Sequence, residues 1–477
     1  MASNGETMEP KRPSRAHAIR LYVLLVGLPA LFTAATIVYG MKLHPAPQNA
    51  AVSAQASEVA TIGNLPSIAL LLAQLGIIVA AARAAGALLR RLGQPQVIGE
   101  MAAGIMLGPS LLGAVAPQIS DAIFPAASLG YLNALSQVGV ILFMFVVGLQ
   151  LDPDLLHVHR RAAVITSHTS ITTPLLLGAA LAIPLYSELA GERVGFAQFA
   201  LFLGAAMSVT AFPVLARILA DQKLLETRLG TIAITCAAVD DASAWCILAA
   251  VAGLVRTSSG AHPFWLTVAG ALIFVGLALT VGRRIAARLL FGYQKHGKLT
   301  SGMISAIILA ALAGAWTTEW LGLHALFGAF VVGFIIPRDQ ALLRELLGRF
   351  EEILVVLLLP LFFAFTGLRT HIGLISGTQA WLVCGAIILV AIAGKLGGSA
   401  IASRLSGLSW RESTAVGVLM NTRGLVELVF LNVGLELGVI SPKLFSMMVI
   451  MALVTTAMTT PLLRWVWGTQ IRSGNKT

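Results

Sequence analysis

The stretch "TCAAVDDASAW", residues 235–245, sets two adjacent carboxylates, Asp240 and Asp241, in the middle of an otherwise apolar helical run. A charge at the centre of a bilayer costs about 2.5–3.5 kcal/mol even on a lenient insertion scale, so an acid there is paired, neutral or functional. One aspartate would satisfy a buried ion pair. A second on the neighbouring residue adds negative charge and opposes ionisation of the first. Such a pair can hold protons or a small cation, but charge and space disfavour holding both. Competition for one site is the physical core of an exchange reaction.

The deep bases are Lys395 and Arg423. Lys395 lies in "AIAGKLGGSAIA", whose small residues allow close helix approach, and it is expected to be the charge partner of one aspartate. Released from that aspartate by a bound cation, it is expected to lose its proton. Arg423 keeps its charge, and is expected to compensate carbonyl ends at a break in its own span or to pair with an acid. Glu427 stands at the i,i+4 spacing for an ion pair with Arg423. Glu100 follows Arg90 and Arg91, and both glutamates read as structural or modulatory charges. His168 and His324, alone on apolar spans, read as packing residues. Cys236, Cys246 and Cys384 are expected to be small buried side chains rather than a disulfide or metal site, and no cofactor is expected.

These groups must be positioned by membrane spans. Of the 477 residues, 57% are apolar and 11% charged, against about a quarter charged in soluble domains. Fourteen apolar stretches approach the length of about 20 residues needed to cross a bilayer, from 20–40 to 444–467. The net charge of +11 does not signal a nucleic-acid partner. With the N-terminus cytoplasmic, alternate loops carry 24 basic residues inside and 5 outside, which predicts both termini inside an inner (plasma) membrane. The run at 20–40 is expected to be a retained transmembrane helix between a 1–19 tail and an exterior linker at 41–66. Only nine residues follow Gly468, so no cytoplasmic regulatory domain is expected beyond the short tail at 468–477.

The remaining 67–467 carries an internal repeat. "GEMAAGIMLGP" from Gly99 matches "GAFVVGFIIPR" from Gly328, and "LFMFVVGL" from Leu142 matches "LFFAFTGL" from Leu361. Each match joins a span to the one seven later. Seven is odd, so the halves, about 67–255 and 301–467 with a linker helix at 262–282, run oppositely through the membrane. Alternating-access carriers are built this way, with the site near the midplane where the halves meet. A third pair, "AMSVTAFPVLARIL" and "VLMNTRGLVELVFL", brings helix-breaking residues to corresponding places. Ser208, Thr210 and Pro213 interrupt span six, while Asn421, Thr422 and Arg423 precede Gly424 in span thirteen. Unwound backbone at such depth is tolerated where it lines a cavity or is buried in protein.

With these residues in view, the chain resembles monovalent cation:proton antiporter family 2, which includes bacterial Na+/H+ and K+/H+ antiporters and plant cation/proton exchangers. "QPQVIGEMAAGIMLGPSLLG", "FMFVVGLQLD", "SVTAFPVLARIL", "AAVDDASAW", "LHALFGAFVVGFIIPR" and "NTRGLVELVFLNVG" carry the likeness in order, over about 67–467. The resemblance implies an all-α inverted-repeat antiporter fold, with a thirteen-helix core behind one extra N-terminal helix. It also implies a homodimer formed through one helical domain, and a mobile second domain with two crossing broken helices. It makes Asp241 the general cation ligand, Asp240 the acid of electrogenic relatives, and Lys395 its partner.

The expected function is therefore exchange of Na+ or K+ for protons, possible at two protons per cation, with Ser208, Thr210 or freed carbonyls completing the oxygen shell. Other classes fit less well. A sodium-coupled symporter of organic anions would need a wider polar cavity, and a channel would show no obligatory proton coupling. An intramembrane aspartyl protease needs two facing aspartates on different helices, whereas Asp240 and Asp241 stand about 100° apart on one helix.

Overall fold

A computed structural model describes residues 15–44, 68–150, 160–192, 194–224, 227–258, 264–321 and 323–473. Most of the expected exterior linker lies outside the described residues. The chain forms α1 (Ile19–Leu43), α2 (Ile68–Arg91), α3 (Gln96–Val115), α4 (Ala126–Gln150) and α5 (Val164–Leu189). Next come the two halves of α6, Phe196–Ser208 and Phe212–Asp221, and then α7 (Arg228–Ser258). The second part has α8 (Ala269–His296), α9 (Ser301–Trp320), α10 (Ala325–Ile335), α11 (Val356–Leu374) and α12 (Gly377–Leu405). The halves of α13, Trp410–Met420 and Leu425–Glu436, lead into α14 (Pro442–Gly468). Among the described residues, ten of these helices are long and apolar enough to cross a membrane. Among the described residues the only strand-like pairing is one bridge between Ala190 and Ile440.

Local chemistry sets the helix boundaries. The Thr227 hydroxyl accepts the Gly230 amide at 3.1 Å and starts α7, satisfying one of the orphan amides of a helix N-terminus. Ser409 and Glu412 form a reciprocal capping box at the start of α13. The linker helix outruns its expected end at 282, because Arg283, Arg284 and Arg288 are still helical in α8.

The inverted repeat is visible as crosswise packing. Helix α3 lies against α11, and its repeat mate α10 lies against α4, the mate of α11. Glycines permit both approaches. A Cβ on Gly367 would collide with the backbone of Gly104, and one on Gly333 with the Phe145 carbonyl beside Gly148. Residues near the C-terminal end of α3 and just past α10 add matching ties. Ser110 of α3 donates to the Thr370 carbonyl near the end of α11 at 2.6 Å, while the Arg338 guanidinium donates to the Leu149 and Gly148 carbonyls at the end of α4. The extra helix α1 packs on α5 and the first half of α6, where His44 stacks on Phe196 and contacts Tyr186.

Large apolar residues such as Leu31, Leu72, Leu272, Leu309 and Trp316 are exposed on the outer helices, as lipid-facing surfaces require. Cys236 and Cys384 are buried thiols outside any disulfide, but Cys246 is exposed on α7, contrary to expectation. His324, read as a packing residue, is the N-cap of α10, its side chain accepting from the Leu326 amide.

Candidate ion site at the helix crossing

The two breaks cross and touch. The Ala211 amide donates to the Thr422 carbonyl at 3.0 Å. The first half of α6 stops at Ser208 and the second starts after Ala211. Pro213 therefore sits in the first turn of the second half, where its missing N–H and fixed φ suit a helix start. It restarts the helix instead of sitting in the gap, and its side chain lies outside the described residues. In α13 the gap is Asn421–Gly424, as expected.

A helix end leaves four carbonyls without amides, and at the end of the first half of α6 all four are taken. The Ser208 hydroxyl donates to Ala205 O at 2.8 Å. Arg423 donates through Nη1 to Ala206 O at 3.0 Å and through Nη2 to Met207 O at 2.6 Å. Lys395 Nζ takes Ser208 O. Two cations thus face the negative end of one half-helix. Arg423 compensates the break of α6, not that of its own span, and it pairs with Glu427 at 3.3 Å as the i,i+4 spacing implied. Its backbone is held by Thr456 of α14, which accepts from its amide and donates to its carbonyl.

Lys395 also reaches Asp240. Its Nζ lies 2.6 Å from Asp240 Oδ2, with both side chains fully buried. The lysine sits in a π-turn of α12, Ala393–Gly397, flanked by Gly394 and Gly398, which pack against Pro174 and Thr173 of α5. Such turns occur often at functional sites. Asp240 is further surrounded by hydroxyls. Ser167 donates to Oδ1 at 2.8 Å, while Ser170 at 2.6 Å and Thr210 at 2.9 Å donate to Oδ2. Each hydroxyl has one proton, and two of the three have a second acceptor within reach. Ser170 can turn to Ser167 O at 2.7 Å, and Thr210 to Met420 O at 3.1 Å. Turned that way, each would present a lone pair to the centre.

The structure thus brings Asp240, Lys395, Thr210 and the Ser208 carbonyl together around the crossing, with Arg423 behind it. The Ser208 hydroxyl points back into its own helix and does not line the centre. Asp241 continues α7, but its side chain lies outside the described residues. Asn421 Oδ1, Thr422 Oγ1 and Glu427 Oε2 are buried beside the second break without a hydrogen-bond partner among the described residues. Among the described residues Glu100 makes no hydrogen bond or ion pair with Asp240, Lys395 or Arg423 and sits on α3 instead. It accepts from Gln96 at 2.8 Å, with the charges of Arg83 and Arg217, not Arg90 and Arg91, acting on it. Sequence reasoning missed Ser167 and Ser170. Their signal was the hydroxyl-rich run "TSHTSITT", in which these two stand three apart on one helical face.

A sodium/hydrogen exchanger transmembrane family model matches residues 77–467. The chain is 45% identical to the Na(+)/H(+) antiporter NhaS4 of Synechocystis over 399 residues, 83% of this chain and 97% of that protein. It is 39% identical to Cation/H(+) antiporter 17 of Arabidopsis thaliana over 84% of this chain, and spans 49% of that longer relative. The sodium proton antiporter MjNhaP1 of Methanocaldococcus jannaschii, solved at pH 8, superposes with a TM-score of 0.61 at 15% identity, covering 83% of this chain and 99% of the other.

Proposed function

Because the chain belongs to the sodium/hydrogen exchanger family, we propose that it is a secondary antiporter. It exchanges a monovalent cation, Na+ before K+ given the name of its Synechocystis relative, for protons by alternating access. The observation that carries this reading is the buried Lys395 ammonium, which donates to Asp240 Oδ2, Ser170 O and Ser208 O among the described residues. An ammonium held by three oxygens occupies the kind of cage that a hard alkali cation prefers. Lys395 is, in effect, a tethered competitor for the transported ion.

In this mechanism a cation arriving from the cytoplasm takes the ammonium's place. Asp241, next to Asp240 on α7, adds its carboxylate and gives up a proton. The Ser170 and Thr210 hydroxyls turn their protons to Ser167 O and Met420 O and offer lone pairs to the cation. Lys395, left in the membrane without its carboxylate, sheds a second proton. The loaded crossing then moves past the scaffold and opens outside, where protons on Asp241 and Lys395 expel the cation. Two protons per cation make the exchange electrogenic. Arg423 and Glu427 bind the two broken helices into one moving unit and do not carry the ion.

The excess of basic residues in alternate loops supports an inner-membrane orientation with both termini cytoplasmic. A homodimer joined through the non-moving helices would provide the fixed frame. The test is cation-driven proton flux in everted vesicles with Na+, K+ and Li+ in turn. The wild type is expected to collapse a preset pH gradient and Asp241→Asn is not. Failure of every cation to do so with the wild type would sink the proposal.

A further inference from the structure

We propose that Pro174 makes one of the cation's ligands: lacking an N–H, it leaves the Ser170 carbonyl free to face the ion site. This rests on the antiport reading above and concerns how the site of that exchange is built.

In an α-helix the carbonyl of residue i accepts the amide of residue i+4. The residue four after Ser170 is Pro174, which has no amide hydrogen and so cannot serve it. Helix α5 nevertheless runs on through Pro174. The carbonyl left over is not turned to lipid or water. It accepts from Lys395 Nζ at 3.0 Å, in a buried position. The packing aims it there. Gly394 and Gly398 let the π-turn of α12 press against this turn of α5, since a Cβ on Gly394 would stand 2.9 Å from Pro174 Cα and one on Gly398 3.0 Å from Thr173 Cβ.

The cage around the ammonium is therefore assembled from two carbonyls freed by different devices. The break in α6 frees Ser208 O, and a proline in the middle of an unbroken helix frees Ser170 O. A carbonyl is a fixed ligand, unlike the neighbouring hydroxyls, which rotate. When the cation displaces Lys395, Ser170 O stays in place to coordinate it, and its position contributes to ion preference as cavity size and ligand number do elsewhere. The other proline of α5 provides an internal control. Pro184 is exposed, and the carbonyl it releases belongs to Ala180, which is also exposed and remote from the crossing.

Pro174 is thus a positioning residue acting through Ser170 O, and a replacement should matter by restoring an amide rather than by its side-chain size. Pro174→Ala, Pro174→Val and Pro184→Ala would be made in the full chain and reconstituted in vesicles. Cation KM and kcat would be measured for Na+, K+ and Li+, together with the rise in melting temperature of the purified protein on adding saturating Na+. Both Pro174 variants are expected to raise the KM about tenfold, the loss of one charge-assisted ligand. They should also change the KM ratio among the three ions, leave kcat nearly unchanged and blunt the stabilisation by Na+, while Pro184→Ala behaves as wild type. Wild-type KM in both Pro174 variants, equal losses in Pro184→Ala, or a kcat loss that follows side-chain volume would overturn the inference. A wild type without cation-coupled flux would instead refute the antiport reading, so the two failures are distinguishable.

Discussion

Neutralising one member of the Asp240–Lys395 pair should cost far more than neutralising both. Each side chain is fully buried, and the pair is 2.6 Å apart. In Asp240→Asn the ammonium loses that carboxylate and keeps the neutral Ser170 and Ser208 carbonyls. In Lys395→Met the carboxylate keeps three hydroxyls but no cation. Breaking a buried pair from one side costs about 3–5 kcal/mol, whereas replacing both partners with neutral groups of similar volume is often close to neutral. For a chain of this length that corresponds to a fall of about 3–10 °C in melting temperature for each single variant. The double variant should recover most of the loss and transport no cation. The assay is thermal unfolding of detergent-purified protein at one pH, analysed as a double-mutant cycle. Additive losses, or single variants within about 1 °C of wild type, would refute the reasoning.

Other changes probe the surroundings of the pair. Thr210→Val removes a hydroxyl shared by Asp240 and Met420 O; it should cost about 1–3 kcal/mol in thermal unfolding and raise the cation KM. Arg423→Ala orphans two carbonyls of α6 and strands Glu427, so it should lower the melting temperature much more than Glu427→Gln, which should still transport. Gly104→Val and Gly333→Val should both abolish the folded, monodisperse protein in size-exclusion profiles, while Gly302→Val, with open space around it, should not. Glu100→Gln keeps its contact with Gln96 and should retain proton-coupled transport in the vesicle assay, separating this buried acid from the transported ones.

Much of this arrangement could be read before any coordinates. The repeat was legible because its glycines mark places where two backbones must meet, and crosswise contacts between Gly104 and Gly367 and between Gly333 and Gly148 follow directly. The Asp240–Lys395 pair was legible because charge inside a membrane needs a partner and few were on offer. Other features depend on which helices become neighbours, and periodicity within one span does not report that. Arg423 was expected to serve its own break, yet its side chain is long enough to reach the end of α6 across the crossing. Ser167 and Ser170 are uncharged and common in apolar helices, so only their contact with α7 singles them out. Cys246 sits in an apolar run, but on the face of α7 turned away from the crossing. The role of Pro213 was misplaced by two residues because a proline marks a break equally well from inside the gap or from the start of the next turn.

The central claim is that cation and protons compete for one cage. The most direct test is the dependence of cation KM on pH, measured with purified protein in proteoliposomes under a clamped membrane potential. Competition predicts a maximal rate that changes little, with log KM rising as pH falls and a limiting slope of about one per pH unit for one displaced proton or two for two. A KM independent of pH across the range in which transport runs would contradict it.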